Sequence, residues 1–431
     1  MQHRRRLRPF SLLLALSLAA AACGGGRSDD DDAASASGEG GEEGGEPAPA
    51  PGFDGETIKV AAITPTSGPV AVIGDPMTNG NRAYWDYVNE ELGGIAGKYK
   101  VELVVVDSKY EPPVAVQKYN EIKNDVVLIN QLLGTGVVKA VLEQLDRDGI
   151  VAQPATLDSD WVREPNLIPI GAPYQIQAIN GIDWYVTEDG GEGTNLCALL
   201  QDDPYGEAAQ EGIDFALENL GLELAATAKF PVGNPDFTSQ IKQLQNADCD
   251  MVWLTSTPTD TGTALGKAAE LGFAPKWFAQ SPTWVTLLGQ SPLAPYLEEN
   301  FYWVSEGAQY GDESVEGMAE LVRIKDTYAP DQDPDPYFNF GYLEGRAVHQ
   351  LLEKAVERGD LSREGIQAAL TEIEELEFDG LFGNYGWGEA ADRNPPRANS
   401  IFRPNAEVPI GMELVIEFHE APYAADFVFE G

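Results

Sequence analysis

Catalysis near neutral pH most often relies on a histidine or cysteine set beside a base, and this sequence holds few of either. Its three histidines are His3, His349 and His419. The first lies in the amino-terminal leader region, the second in a helix-forming segment and the third near the carboxyl end, and no acid, base and nucleophile can be assembled around them. Two partial motifs also fall short. Gly262-Thr263-Ala264-Leu265-Gly266-Lys267-Ala268 lacks one spacer of a phosphate-binding loop and the Ser or Thr that would hold the metal, so it reads as ordinary helix. Asp331, Asp333 and Asp335 begin like a calcium loop, yet Pro336 replaces the required glycine and Tyr342 stands where a bidentate Glu belongs. The expectation is a non-enzyme without cofactor or metal.

Charge narrows the partners. Against 28 Lys plus Arg stand 70 Asp plus Glu, a net charge of -42 that repels nucleic acid and anionic lipid alike. No nucleic-acid role is expected, and the acidity points to a saline habitat. With 43% hydrophobic and 23% charged residues over 431 positions, the chain can bury a sizeable core in two or three compact units.

Arg4, Arg5, Arg6 and Arg8 precede an apolar run over residues 10–22. That run is too short to span a bilayer and suits the apolar segment of an export signal, so residues 1–22 read as a signal peptide. Ala20-Ala21-Ala22-Cys23-Gly24 resembles the lipobox of bacterial lipoproteins, with Ala20 in place of the usual Leu. The resemblance implies diacylation of Cys23 and a protein lipid-anchored to the outer face of the bacterial membrane; simple cleavage at a small-residue site is the alternative. Residues 24–52 hold only Gly, Ser, Ala, Pro, acids and Arg27. Without apolar surface to offset ordering entropy, residues 23–55 read as a flexible acidic tether reaching roughly 30 Å.

The elements that would position a site begin at Ile58. Short apolar runs then alternate with helix-period segments, the mark of βαβ units and a parallel sheet. Strands are predicted over residues 58–63, 101–107, 126–130 and 150–155, with helices near 81–92, after Pro112-Pro113, and along the face of Val138, Val141, Leu142 and Leu145. The rhythm restarts with strands at 195–201, 222–230, 251–255 and 277–279 and helices near 239–245 and 259–271. Helical segments near 315–327, 341–358 and 362–375 follow, returning to the first lobe. Two similar α/β lobes are the expected architecture. Cys197 opens the first strand of lobe two and Cys249 precedes a strand that a doubly wound order sets alongside it. In an exported chain they form a disulfide or remain as two reduced core cysteines.

Several motifs now converge on a family. Residues 64–107 carry TPTSGPVAVIGDP and then GNRAYWDYVNEELGGIAGKYKVELVVVD, followed by Gln153-Pro154-Ala155-Thr156, Asp203-Pro204-Tyr205-Gly206, Asp236-Phe237-Thr238-Ser239, Phe378-Asp379-Gly380-Leu381-Phe382-Gly383 and Asp392-Arg393-Asn394-Pro395-Pro396. In order and spacing this resembles type I periplasmic binding proteins of the branched-chain amino-acid importer family over residues 56–405. The resemblance implies two Rossmann-like lobes joined by a three-crossing hinge, with 56–174 and 310–378 in lobe one and 175–309 and 379–431 in lobe two. It also implies a monomer that closes on a small-molecule solute and hands it to an ABC permease and ATPase. Rival functions for the same sequence are a ligand-sensing receptor module and a secreted hydrolase using paired carboxylates.

The family's site maps onto this chain residue by residue. Ser67 and a lobe-one carboxylate site of Gly134, Thr135, Gly136, Ala155 and Thr156 fall in loops after strands. Tyr205, Thr257 and Tyr337 supply further walls. The acids with which relatives hold an ammonium read here as Gln177 and Ser281, with Asp158, Asp160 or Asp202 as conceivable substitutes. A buried cation needs a paired charge, so the solute is expected to be a branched-chain amino acid if one of these acids substitutes, and otherwise an amide, a urea-like compound or an amine-free carboxylic acid. Trp161 and Trp284 are candidate stacking walls.

Overall fold

The computed structural model describes residues 45–430; the leader, Cys23 and the tether up to residue 44 lie outside the described residues. The first sheet holds β1 (Thr57–Thr64), β2 (Lys100–Asp107), β3 (Leu128–Leu133) and β4 (Ala152–Ala155), all parallel in the order β2-β1-β3-β4. Its connecting helices are α1 (Ala71–Glu90), α2 (Pro112–Ile122) and α3 (Thr135–Asp148). After α4 (Tyr174–Thr187) come β5 (Leu196–Gln201), α5 (Pro204–Leu220), β6 (Ala226–Phe230), α6 (Thr238–Asn246), β7 (Met251–Thr255), α7 (Pro258–Glu270) and β8 (Lys276–Gln280). The short helices α8 (Thr286–Gly289) and α9 (Ala294–Asn300) then lead into β9 (Phe301–Ser305).

From β9 the chain returns to the first sheet through α10 (Met318–Tyr328), α11 (Pro336–Glu357) and α12 (Arg363–Glu372), of which α10 and α11 pack on α1. A small hairpin of β10 (Glu375–Leu376) and β11 (Tyr385–Gly386) precedes the last crossing. The final strands β12 (Asn399–Pro404) and β13 (Met412–His419) complete the second sheet, β13-β12-β9-β8-β7-β5-β6, in which they alone run antiparallel to their neighbours. The chain thus passes between the sheets three times: after β4, after β9 and after β11.

Local chemistry explains the element ends. Gly149 and Gly221 take left-handed conformations, φ 66° and 67°, to end α3 and α5. Asp203, Asp335 and Ser362 cap α5, α11 and α12 by accepting backbone N–H bonds. Asp335 thus serves as a helix cap rather than as part of a calcium loop. Where α1 crosses α11, a Cβ on Gly80 would stand 2.0 Å from the Phe338 carbonyl oxygen, and one on Gly341 would stand 1.9 Å from that of Met77. Only glycine lets these two backbones approach so closely.

Three expectations need correction. The helix predicted from residue 81 begins at Ala71, and the one predicted from 341 begins at Pro336. The tether predicted through residue 55 ends sooner: Pro47 is buried, Phe53 is 3% exposed in the core, and Ala50, Phe53 and Ile58 form successive bridges. The single aromatic ring of that segment supplies the apolar surface that its other residues lack. Cys197 and Cys249 are joined by a disulfide, with Cα atoms 5.9 Å apart.

Candidate functional site

In an open α/β sheet a solute is met at the carboxyl ends of the strands, where helices begin. In this chain the loops after β3, β4, β7 and β8 converge there with the starts of α4, α5 and α11 on one cavity. Of the residues singled out from sequence, Gly134, Thr135, Ala155, Thr156, Tyr205, Thr257, Ser281 and Tyr337 line it. Gly134 reaches φ 113° to open α3, and a side chain there would run into the Tyr110 ring. Thr135 and Thr156 bring their hydroxyl oxygens within 2.6 Å, and Tyr174 stands 3.2 Å from that of Thr156. The first N–H groups of α3 beside these hydroxyls make an anion-accepting corner.

Across the cavity Tyr205 packs edge-on against Tyr174 at 4.9 Å between ring centres and donates its hydroxyl to the Ser281 carbonyl at 3.1 Å. The Tyr337 hydroxyl lies 2.5 and 2.6 Å from the carbonyls of Pro282 and Trp284. Burial raises the Tyr174, Tyr205 and Tyr337 phenols above their ordinary range, so all three stay neutral. Contacts bridge the cleft: Thr259 of α7 donates to the Pro69 carbonyl at 2.9 Å, beside the loop after β1.

Three sequence-derived candidates stand apart from this lining. The exposed Ser67 donates its hydroxyl to Asp107 at 2.6 Å. Gly136 sits one residue into α3 beside Pro112 and Pro204, and Gln177 lies behind the wall, where its side chain accepts the Ser281 N–H at 2.9 Å. The candidate substitutes for a lost acid do not reach the cavity either. Asp158 and Asp160 pair with Lys139 at 3.8 and 3.0 Å, and Asp202 is exposed beside Lys229. Burial, with Asp160 nearby, raises the Asp158 carboxyl to about 6. Trp161 and Trp284 are core residues, the latter donating its indole N–H to the Ile410 carbonyl at 3.0 Å.

One acid escaped the reading of the sequence. Glu306 follows β9, its carboxyl accepting from Gln177 at 3.0 Å and from Ser281 Oγ at 3.3 Å. Burial pushes this carboxyl up to about 8, against the partial opposition of its own backbone and of Ser281. The available signal was the β-rich run Phe301-Tyr302-Trp303-Val304-Ser305 ending on an acid, the same strand-then-loop pattern that placed Thr135 and Thr156. Glu306 lines a second space behind the first, not the first itself.

Comparison with known proteins accords with this geometry. Residues 57–407 match the family described as periplasmic binding protein. The leucine-, isoleucine-, valine-, threonine- and alanine-binding protein of Pseudomonas aeruginosa is 24% identical over 343 residues, 78% of this chain and 87% of that protein. Among solved structures, the fatty acid ABC transporter substrate-binding protein from Thermomonospora curvata superposes with a TM-score of 0.82 at 26% identity, covering 90% of this chain and 97% of the other. A branched chain amino acid ABC transporter from Thermus thermophilus with bound valine shares the fold, with a TM-score of 0.73 at 16% identity over 86% of this chain and 98% of its own. These relatives bind solutes outside the cytoplasm for ABC transport and are not enzymes. With the family matched over most of its length, this chain belongs to the periplasmic binding proteins and is a type I solute-binding protein of ABC transport.

Proposed function

We propose that this protein captures an aliphatic carboxylic acid without an amine, rather than a branched-chain amino acid, for delivery to an ABC permease. One observation carries this reading: among the described residues, no acidic or basic side chain lines the front cavity. A carboxylate there would find the N-terminal amides of α3 with Thr135 and Thr156, whereas an ammonium would find no opposite charge and would lose its hydration uncompensated. Ile73, Met77, Leu133 and Phe340 offer the apolar complement to such an acid. The likeness to a fatty acid ABC transporter substrate-binding protein supports the same class.

A thermal-shift series on the purified protein tests the reading. A straight-chain acid at 100 times its dissociation constant should stabilise the fold by about 2.7 kcal/mol, while leucine, isoleucine and valine at the same concentration should leave it unmoved. Stabilisation by leucine and not by the acids would reverse the assignment. We further infer, from Cys23 after its small-residue run, that the protein is lipid-anchored. Cys23→Ser should then shift it from the membrane fraction to the soluble extracytoplasmic fraction; unchanged fractionation would refute the anchor.

A further inference from the structure

Behind the front cavity lies a second space whose neck is formed by residues common to both, Ser281, Tyr337 and Phe340. Its walls are mostly apolar: Trp303 and Phe402 from the second sheet, Leu321 and Leu343 from α10 and α11, and Leu381 and Phe382 from the loop between β10 and β11, with Asn339 Oδ1 and the Trp303 indole N–H as unpartnered polar atoms on residues of the same lining. The second crossing meets the β10–β11 loop along it, the Ala308 N–H donating to the Leu381 carbonyl at 3.1 Å. Among its lining residues Glu306 alone carries an ionisable acid, and both of that carboxyl's oxygens are taken up by Gln177 and Ser281. No group of the solute is needed to satisfy it.

We propose that this rear chamber is a tail subsite, so that the solute is an acid whose hydrocarbon chain threads past Tyr337 and Phe340 while its carboxylate stays at the start of α3. This rests on the carboxylic-acid reading above and extends it from the head group to the length of the chain. Three observations converge. The two spaces adjoin at Ser281, Tyr337 and Phe340, so one slender molecule that displaces these side chains would occupy both. The rear walls present aliphatic and aromatic surface of the kind that rewards a methylene chain. The only acid on those walls is internally bonded, so it does not demand a polar partner from the ligand. Because the chamber lies against the second crossing at Gly307 and Ala308, a tail seated there would touch the hinge itself.

The test is a chain-length profile measured by calorimetry on the purified protein, with straight-chain acids from butanoate to hexadecanoate kept below micelle formation. Once the front cavity is full, each added methylene should tighten binding about fourfold until the rear chamber is occupied. Leu321→Trp fills the chamber from α10, and Ala308→Leu does so from the crossing, where the residue is half-buried and a larger side chain is better tolerated. Either variant should weaken long acids at least tenfold while holding the butanoate constant within about twofold. Equal weakening of short and long acids, or an unchanged profile in both variants, overturns the tail subsite. Binding of short acids with no dependence on chain length overturns it too and leaves the carboxylic-acid reading standing. A wild-type protein that binds no straight-chain acid overturns both.

Discussion

Breaking the bond between Cys197 and Cys249 should lower the stability of the folded protein by about 4 kcal/mol. The two residues are 52 apart in sequence, and the link closes that length of chain in the unfolded ensemble. Loop-closure entropy for a ring of this size amounts to about 4 kcal/mol at room temperature. In the fold the bond costs nothing in arrangement, because β5 and β7 are already paired, with Cys197 opposite Val252. Both half-cystines are buried, so Cys197→Ala with Cys249→Ala is the better substitution; paired serines would leave hydroxyls without partners in the core. Urea unfolding of the double variant should show a lower midpoint and a steeper slope, because the unfolded chain without the crosslink is more expanded and exposes more surface. The bond sits at the amino-terminal end of β5, away from the loops that form the cavity, so the folded variant should retain its solute affinity. Equal stability of the oxidised protein and the variant would show that the loop is already restrained when the chain unfolds.

The strands were legible where burial leaves no ambiguity. β5 and β7 are fully buried, almost wholly apolar runs flanked by turn residues, and the predicted ranges fall within a residue of those observed. Legibility failed where one residue serves two purposes. Gly74, Pro76 and Gly80 are residue types that ordinarily disfavour helix interiors, yet all three lie inside α1. Gly74 and Gly80 are there because a Cβ would strike the carbonyls of Pro65 and Phe338, a tertiary reason that no local pattern displays. The helix α4 escaped notice because nearly every residue from Tyr174 to Tyr185 is buried, which leaves no polar face to mark a helical period. The carboxylate corner at Thr135 and Thr156 was accessible from the resemblance because it sits in loops directly after strands. The rear chamber was not, since Trp303, Leu343, Phe382 and Phe402 come from four separate stretches that only the crossings bring together.

Glu306 makes a second strong expectation, one that ties stability to pH. Burial holds its carboxyl protonated up to about 8, whereas in the unfolded chain it ionises at the ordinary carboxylate value, near 4.5. Between those two values the folded state binds the proton and the unfolded state does not, so stability declines as pH rises through that window and levels off above it. The full difference corresponds to at most about 5 kcal/mol, less whatever relaxation of the wall lets water reach the charge. Glu306→Gln replaces the acid with a neutral group of the same shape, able to accept from Gln177 or Ser281 and unable to ionise. At pH 4 the variant should match the wild type within about 1 kcal/mol, because the side chain is then largely neutral in both the folded and the unfolded chain. At pH 9 it should be the more stable of the two by several kcal/mol. Asp335, which burial raises to about 7, and Glu344, buried and pushed upward by the same cause, add pH dependence of the same sign, but they are present in both proteins and cancel in the comparison. Urea unfolding of the pair at pH 4 and pH 9 reads the result directly. Parallel loss of stability in both proteins would mean that Glu306 is ionised in the native fold, its charge met by the donors of Gln177 and Ser281. The rear chamber would then hold an anion at its wall, and long-chain acids would bind more weakly to the wild type than to Glu306→Gln at neutral pH.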